Sequence, residues 1–292
     1  MQTFDDRLAD RLSEMSAAEQ RAARFFSDNR ADLLIASAVE LATKAATSDA
    51  TIIRAAKALG FSGLDEMRRS VAEEVRASMT PAARLTRTLG RVGLESSSAF
   101  NVMLDTHLQS LERLRQTVSP QQFEAAIKHV IAARRVIVFG LGPSSAIASY
   151  FVVQLSRFGI ESFALTNTGL LFADDLQKLR RNDLVVILAY GKVYSELGAL
   201  LDEKDARGAR SILLTDTLVT KLRSRVDLVL QVPRGHADML STHTATLGLI
   251  EALLVGVAAR RPGETIASLE KLNDLRRKLT GKTMKLPVKE GR

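Results

Sequence analysis

The sequence contains no cysteine and no tryptophan among its 292 residues. Disulfide bonds and thiolate metal sites are therefore excluded, which fits a protein of the reducing cytoplasm. No uninterrupted apolar run approaches the roughly 20 residues that a membrane-spanning helix needs. The opening residues, MQTFDDRLADRLSEM, are charged and lack the apolar segment of a signal peptide. We therefore expect a cytoplasmic protein without a membrane partner.

Basic residues exceed acidic ones, and the formal net charge is +8. Most of the excess lies in residues 271–292, which contain 8 Lys and Arg residues against 2 Asp and Glu residues. A basic tail of this kind predicts only solvation or nonspecific phosphate contacts. Any specific recognition of nucleic acid must therefore depend on local arrangement elsewhere in the chain.

Residues 39–67, VELATKAATSDATIIRAAKALGFSGLDEM, have the pattern of a helix, a tight turn and a second helix. Ser48 can cap the second helix, because its hydroxyl can accept an unpaired N–H of the first turn. Ile52, Ala55 and Leu59 recur at three- and four-residue spacing and predict a buried stripe. Gly60 suits the left-handed end of that helix. The pattern indicates a DNA-binding helix-turn-helix, and an ordinary helical hairpin in a core is the alternative.

A short polar face remains exposed on the second helix in this interpretation. Its members are the predicted DNA-binding residues Ser48, Asp49, Ala50, Thr51, Arg54 and Lys57. A helix-turn-helix presents the N-terminal residues of this helix to base edges in the major groove. We expect Asp49, Ala50 and Arg54 to face bases and the other three to contact phosphate or sugar. A dimer would require a double-stranded operator with paired half-sites.

After residue 135 the pattern changes to short apolar runs that alternate with helical segments. The runs are residues 136–139, 163–165, 184–188, 211–214 and 228–232. Strand and helix alternation predicts an α/β doubly wound parallel sheet. The full prediction is an α-helical domain at 1–78, a linker and connecting helix at 79–118, the α/β domain at 119–262, and a C-terminal helix and basic tail at 263–292.

The connecting segment divides into two predicted parts. Residues 80–98 contain Pro81, Gly90 and Gly93 and lack a strong pattern, so we interpret them as a hinge or linker. Residues 99–118 are predicted to form a long helix with apolar residues at 103, 104, 108, 111 and 114. Such a helix could pair with its copy in a dimer.

A glycine loop, residues 140–145 (GLGPSS), follows the first predicted strand and opens a helix. Glycines let the backbone approach a ligand, and the helix N-terminus offers N–H groups to an anion. A dinucleotide site would need a third glycine and an acidic residue about 20 positions later. Glu161 has a suitable spacing, but the third glycine is missing, so we predict no nicotinamide cofactor and no cofactor of another kind.

The whole chain resembles the RpiR/MurR family of bacterial transcription regulators. The resemblance rests on the helix-turn-helix stretch, above all Ser48, Thr51, Arg54 and residues 59–61, and on VIVFGLGPSS. It implies an N-terminal helix-turn-helix domain followed by a sugar-isomerase-like (SIS) domain that senses a small molecule. Ala46 and Thr47 stand where the family commonly has glycine and valine.

The ligand loop departs from the family pattern. SIS domains that hold sugar phosphates usually carry Ser-x-Ser-Gly-x-Thr after the second long strand, whereas residues 189–194 here read AYGKVY. Three hydroxyls that would bind a phosphate are therefore absent, and Lys192 offers a point charge instead. The ligand is a sugar phosphate or another acidic metabolite, or else the pocket is kept only for dimerisation. The predicted ligand-binding residues are Gly140, Gly142, Ser144, Ser145, Lys192, Tyr194, Ser195 and His243.

Two histidines suggest the alternative interpretation, which is a sugar-phosphate isomerase with an accessory helical domain. His236 and His243 lie near the last long apolar helix, and histidine suits proton transfer near neutral pH. We favour a structural or ligand-contacting role for them and predict no catalytic residue and no metal site.

The resemblance and the residue pattern together predict a ligand-responsive regulator, a repressor rather than an activator. It would act as a homodimer or homotetramer on DNA and respond to a small-molecule effector. A protein-interaction module that has lost its ligand is a third interpretation.

Overall fold

The structure is a computed structural model that describes residues 3–78, 80–93 and 96–280. Most of the basic tail, from residue 281 onward, lies outside the described residues. The described part divides into two compact units. The first runs to Ser110 and also includes Arg234–Thr242, and the second comprises Leu111–Pro233 and the chain from His243 onward.

Helices build the first unit, as the sequence predicts. In chain order the described helices are α1 (Phe4–Arg11), α2 (Ala17–Asp28), α3 (Arg30–Ile35), α4 (Ala38–Lys44), α5 (Asp49–Ala58), α6 (Leu64–Ser78), α7 (Pro81–Val92) and α8 (Ser96–Thr117), which continues into the second unit. Ser16 and Ser37 open α2 and α4 with capping boxes that pair them with Glu19 and Glu40. Phe4, Phe26 and Leu41 lie fully buried in the core between these helices.

Most of the predicted linker at residues 80–98 is helical, because α7 occupies Pro81–Val92. Its role as a hinge or linker stays a prediction. The Thr80 hydroxyl accepts the N–H of Ala83, Pro81 occupies the first turn, and Gly93 ends the helix. Proline and glycine stand at the ends of this helix, where both are favoured, and not inside a flexible segment.

Helix α8 confirms the predicted long helix, and several of its leucines face outward. Leu104 and Leu108 are 43% and 57% exposed, while Thr106 and Ser110 are buried. The hydroxyls of Thr106 and Ser110 donate to the carbonyls of Val102 and Thr106 one turn earlier. Small residues whose hydroxyls are hydrogen-bonded within the helix thus face the interior, and an apolar stripe is left on the surface.

The second unit contains the predicted parallel sheet, with strands in the order β2-β1-β3-β4-β5. The strands are β1 (Arg135–Gly140), β2 (Ser162–Leu165), β3 (Asp183–Leu188), β4 (Arg210–Thr215) and β5 (Leu228–Gln231). Every described pairing is parallel. The apolar run of β3 is buried along its whole length, as expected for a central strand with both faces covered.

Helices cover both faces of the sheet. The helices of this unit are α9 (Pro120–Ala132), α10 (Pro143–Arg157), α11 (Leu171–Leu176), α12 (Ser195–Arg207), α13 (Val219–Leu222), α14 (Thr244–Arg260) and α15 (Pro262–Thr280). Helices α9, α10 and α14 share one apolar core with the sheet, and α11, α12 and α13 share the other. After β1 the chain passes to one face of the sheet, and after β3 it passes to the other face. The strand order therefore reverses between these two adjacent strands. Ligands in such sheets bind beyond the carboxyl ends of the strands at this point.

Candidate functional sites

Helix α5 begins as the sequence predicts, with Ser48 as its cap. The Ser48 hydroxyl accepts the backbone N–H of Thr51 at 3.2 Å, and Asp49 accepts that of Ala50 at 2.7 Å. The predicted stripe is confirmed, since Ile52, Ala55 and Leu59 are fully buried. The helix therefore has a fixed start, and its first turn lies at the surface.

The turn between α4 and α5 contains Ala46 in a left-handed conformation, with φ of 48°. The N–H of Thr47 bonds to the carbonyl of Ala42 and that of Ala46 to the carbonyl of Thr43. These two hydrogen bonds define a Schellman motif, which usually has glycine at the left-handed position. Alanine at residue 46 therefore keeps the geometry of the turn but at a conformational cost.

The predicted DNA-binding face is exposed at Ser48, Asp49, Ala50, Arg54 and Lys57. The expectation that Thr51 is also exposed is wrong, because only 4% of that residue is accessible. Helix α5 packs against α2, α4 and α6, so its buried arc is wider than the predicted stripe. Whether the five exposed residues contact DNA stays a prediction.

Buried Thr51 organises the exposed residues around it. Its hydroxyl lies 2.9 Å from the Ser48 hydroxyl and accepts a hydrogen bond from Arg54 Nη2 at 3.0 Å. Glu19, at the start of α2, lies 3.9 Å from Arg54 Nε. The pKa of Glu19 is held below its ordinary value by hydrogen bonds from the Ser16 hydroxyl and backbone, with a smaller contribution from the charge of Arg54. The Arg54 side chain is thus held near the helix and is still 64% exposed.

Ile53 is a surface residue that the sequence interpretation missed. It is 41% exposed on the same helix as Ala50, Arg54 and Lys57. The spacing that places Ile52 in the predicted buried stripe leaves Ile53 outside it, but an apolar residue was not expected on the polar face. An apolar side chain among polar ones suits contact with a thymine methyl group in the major groove.

The second candidate site is formed by the loops after β1 and β3. Gly140 ends β1 so close to α10 that a Cβ at this position would lie 2.5 Å from the Ser144 carbonyl oxygen. Gly142 has φ of 56° and immediately precedes α10. Ser144 is buried, and the Ser145 hydroxyl donates to the carbonyl of Gly142 at 2.7 Å. Glycine is therefore required at residue 140 by the close approach of α10 and is favoured at residue 142 by the positive φ.

The loop after β3 exposes Lys192, Tyr194 and Ser195. Tyr190, in the same loop, is turned inward, and its hydroxyl lies 2.9 Å from that of Thr246 on α14. Its ring meets the ring of His243 edge-on, with centroids 5.6 Å apart. His243 is thus joined to the β3 loop through Tyr190, a contact between residues more than fifty positions apart that the sequence did not reveal.

The backbone of the β3 loop is hydrogen-bonded to the loop that follows β4. The N–H of Gly191 donates to the Thr217 hydroxyl at 3.2 Å, in the loop that follows β4. Thr217 is buried and donates in turn to Asp216. The Gly191 N–H is therefore already paired within the protein.

Glu196, in the first turn of α12, also bonds to neighbouring loops. Its carboxylate accepts the N–H of Gly169 at 3.2 Å and the Ser195 hydroxyl at 3.1 Å. Hydrogen bonds from its own backbone N–H, then from Gly169 and from Ser195, hold the pKa of Glu196 below its ordinary value. Glu196 is therefore ionised near neutral pH and links the loops after β2 and β3.

The structure thus groups the predicted ligand residues by loop. Gly140, Gly142, Ser144 and Ser145 lie where β1 passes into α10, and Lys192, Tyr194 and Ser195 lie where β3 passes into α12. Their contact with a ligand stays a prediction. Within the described residues, no group of three or more His, Asp or Glu side chains is arranged to hold a metal ion. None of the helices in the described ranges is both long and apolar enough to span a membrane.

Two family models match the chain. The model described as "Helix-turn-helix domain, rpiR family" matches residues 3–78, and the model described as "SIS domain" matches residues 129–256. Together they span more than half of the chain.

The chain is similar to curated relatives and to solved structures. The "Bifunctional protein glk" of Burkholderia orbicola is 25% identical over 262 residues, which cover 88% of this chain but only 40% of that protein. The sugar isomerase domain of an RpiR transcription factor from Sphaerobacter thermophilus is 25% identical, with a TM-score of 0.55 over 59% of this chain and 96% of that one. The Vibrio vulnificus NanR protein, solved in complex with ManNAc-6P, is 17% identical and shares the fold over 96% of this chain and 100% of its own, with a TM-score of 0.57.

The fold and the family models define a class of protein, in which a helix-turn-helix domain precedes a SIS domain. The chain belongs to the RpiR family within that class.

Proposed function

We propose that this protein is a DNA-binding transcription regulator whose SIS domain binds a sugar phosphate or a related acidic metabolite. The observation that carries the proposal is the exposed first turn of α5, where Ser48 fixes the helix start and Arg54 lies at the surface. Helix N-termini of this kind enter the major groove and read base edges. We expect Asp49, Ala50, Ile53 and Arg54 to face bases.

The surrounding residues have supporting roles in this proposal. Ser48 and Lys57 are placed to contact the sugar-phosphate backbone, which positions the helix without reading sequence. Buried Thr51 acts through Ser48 and Arg54 and is a positioning residue, which revises its predicted role as a direct contact.

The protein is proposed to act as a dimer on paired half-sites. The apolar stripe on α8 supports this, because Phe100, Leu104 and Leu108 are 71%, 43% and 57% exposed at four-residue spacing. Four-residue spacing places these side chains on one helix face, where a second copy could cover them. A tetramer is the alternative assembly.

The effect of ligand binding on DNA affinity is proposed to be transmitted through the chain segment Arg234–Thr242. This segment follows β5 and precedes α14, yet it belongs to the first compact unit. There Arg84 of α7 donates to the Ser241 hydroxyl at 2.9 Å, and Leu240 N–H donates to Thr88 at 2.8 Å. A ligand that favours one arrangement of the loops near α14 would bias the first unit through this segment, which is the differential affinity that allostery requires. Repression is our prediction for the direction of control.

Selection of duplexes from a random-sequence DNA library tests the proposal. The full chain should enrich sequences that contain two related half-sites, and their separation should match one DNA turn or a multiple of it. Absence of any enrichment, together with turnover of an aldose or ketose phosphate, would favour the isomerase interpretation. Loss of that turnover in His243→Ala would then assign a catalytic role to this histidine.

A further inference from the structure

We propose that Ile53 makes the exposed face of α5 selective for a pyrimidine that carries a 5-methyl group. The two bases of this kind are thymine and 5-methylcytosine, so operator binding would respond to methylation of a cytosine at that position. This inference rests on the proposed function, because it assumes that α5 enters the major groove. It deepens that function by naming the chemical group that one side chain recognises.

The first step is that Ile53 does not belong to the core of the first unit. Ile52, Ala55, Ala56 and Leu59 of the same helix are buried in that core, whereas Ile53 lies outside the cluster and is 41% exposed. Single apolar residues are common on protein surfaces, so exposure alone assigns no role. The position of Ile53 on the helix is the further observation.

The second step concerns the neighbours of Ile53 on α5. Residues three and four positions apart are neighbours on a helix surface. Asp49, Ala50 and Lys57 therefore lie beside Ile53, and all three are exposed. Ala50 is small and leaves the Ile53 side chain accessible from the direction in which a base edge would approach. Ile53 is thus the bulky apolar group on a face that is otherwise small or polar.

The third step is the chemistry of the major groove. The 5-methyl group of thymine is the apolar feature of the base edges there, and apolar side chains contact it in direct readout. 5-Methylcytosine carries the same methyl group on the same ring carbon, next to the N4 amino group. Burial of this methyl group against Ile53 would therefore favour either base over its unmethylated counterpart.

Asp49 extends the match to methylated cytosine. It lies one turn before Ile53, and its carboxylate accepts the backbone N–H of Ala50 at 2.7 Å. A carboxylate can accept more than one hydrogen bond, and in the major groove it accepts from the N4 amino group of cytosine. Asp49 and Ile53 together thus suit the amino and methyl groups of 5-methylcytosine, while thymine shares the methyl group alone.

Replacement of single thymines by deoxyuridine in the selected operator isolates the contact, because only the 5-methyl group is removed. The full chain should lose about fourfold in affinity at one position of each half-site, the effect of one methyl group removed from water. At that position, 5-methylcytosine paired with guanine should bind about fourfold more tightly than cytosine paired with guanine. Fluorescence anisotropy measures every duplex.

Ile53→Ala should remove this dependence on the methyl group. Its affinity should change little between the thymine and deoxyuridine duplexes, since the two alterations delete opposite sides of one contact and are not additive. Ile35→Ala is the matched control, because Ile35 is 59% exposed at the end of α3 and lies outside α5. That variant should keep the full fourfold difference. The deoxyuridine comparison in wild type needs no variant and does not depend on how a variant folds.

Equal binding of thymine and deoxyuridine duplexes by wild type at every position would overturn this proposal. Equal binding of cytosine and 5-methylcytosine at the sensitive position would overturn it as well, because the methyl group would then not be the recognised feature. A methyl effect that persists in Ile53→Ala would assign the contact to another side chain. Failure to select any operator would overturn the proposed function itself, whereas a specific operator without methyl dependence overturns this inference alone.

Discussion

Arg54 and Thr51 form a donor–acceptor pair across one turn of α5, with 3.0 Å between Arg54 Nη2 and the Thr51 hydroxyl. Thr51 is buried and Arg54 is exposed, so a group in the core sets the direction of a cation at the surface. The same hydroxyl lies 2.9 Å from the cap residue Ser48. The helix start and the proposed base-reading arginine are therefore controlled by one side chain.

Replacement of Thr51 tests this positioning role. Thr51→Val keeps the shape of the residue but removes both hydrogen bonds, so operator affinity should fall by about 1 kcal/mol although Thr51 is not expected to contact DNA. Thr51→Ser keeps the hydroxyl and should restore most of the affinity. Fluorescence anisotropy with a selected operator measures both variants. If serine and valine variants bind equally, the hydroxyl does not position Arg54.

Ala46→Gly should stabilise the first unit by up to about 1 kcal/mol. The left-handed conformation at residue 46 costs alanine about 1–2 kcal/mol, and glycine removes this cost. Glycine also gives the unfolded chain more conformational freedom, which offsets part of the stabilisation. Urea unfolding, followed by circular dichroism, measures the change. Gly60→Ala is the opposite control, because Gly60 has φ of 84° and a Cβ there would lie 2.7 Å from Arg11 Nη1. A destabilising effect of Ala46→Gly would contradict the assigned turn.

Acid should destabilise the first unit through the carboxylates that cap its helices. The backbone N–H and then the hydroxyl of Ser37 lower the pKa of Glu40 from its ordinary value of 4.5, and Ser16 has a similar effect on Glu19. Because the folded-state pKa values are lowered, this stabilisation is complete above the unfolded-state values and is lost as the pH falls through the folded-state values.

Melting temperature as a function of pH checks this expectation. Glu40→Gln should flatten the decrease between about pH 5 and pH 3, since the glutamine cannot lose a charge. Glu112→Gln is the control, because Glu112 is exposed on α8 and caps no helix. The interpretation is wrong if the two variants give the same pH profile as each other.

The elements that the sequence predicted well have local causes. Residues 184–188 form a strand because a short apolar run suits a position buried on both faces, and Ser48 caps α5 because its partner is only three residues away. The helix α7 was not predicted, because Pro81 and Gly93 were interpreted as breaks and not as the two ends of a helix. In each case the signal lay within a few residues.

The parts of the sites that were not predicted depend on distant contacts. Thr51 is buried because α5 packs against three other helices, which its own spacing does not reveal. Glu196 was missed because its partner Gly169 lies 27 residues earlier, in the loop of another strand. The absent serines of the β3 loop were visible in the sequence, but the bond between Glu196 and Gly169 was not.

Operator binding by Arg54→Ala tests the central claim most directly. The measurement is the affinity of the full chain for a selected operator and for a scrambled duplex, with Arg115→Ala on exposed α8 as the control for loss of one positive charge. We predict that Arg54→Ala loses about 1–3 kcal/mol of binding to the operator while its binding to the scrambled duplex changes little. Unchanged operator affinity in Arg54→Ala, or an equal loss in Arg115→Ala, would contradict the assignment of α5 as the helix that reads DNA.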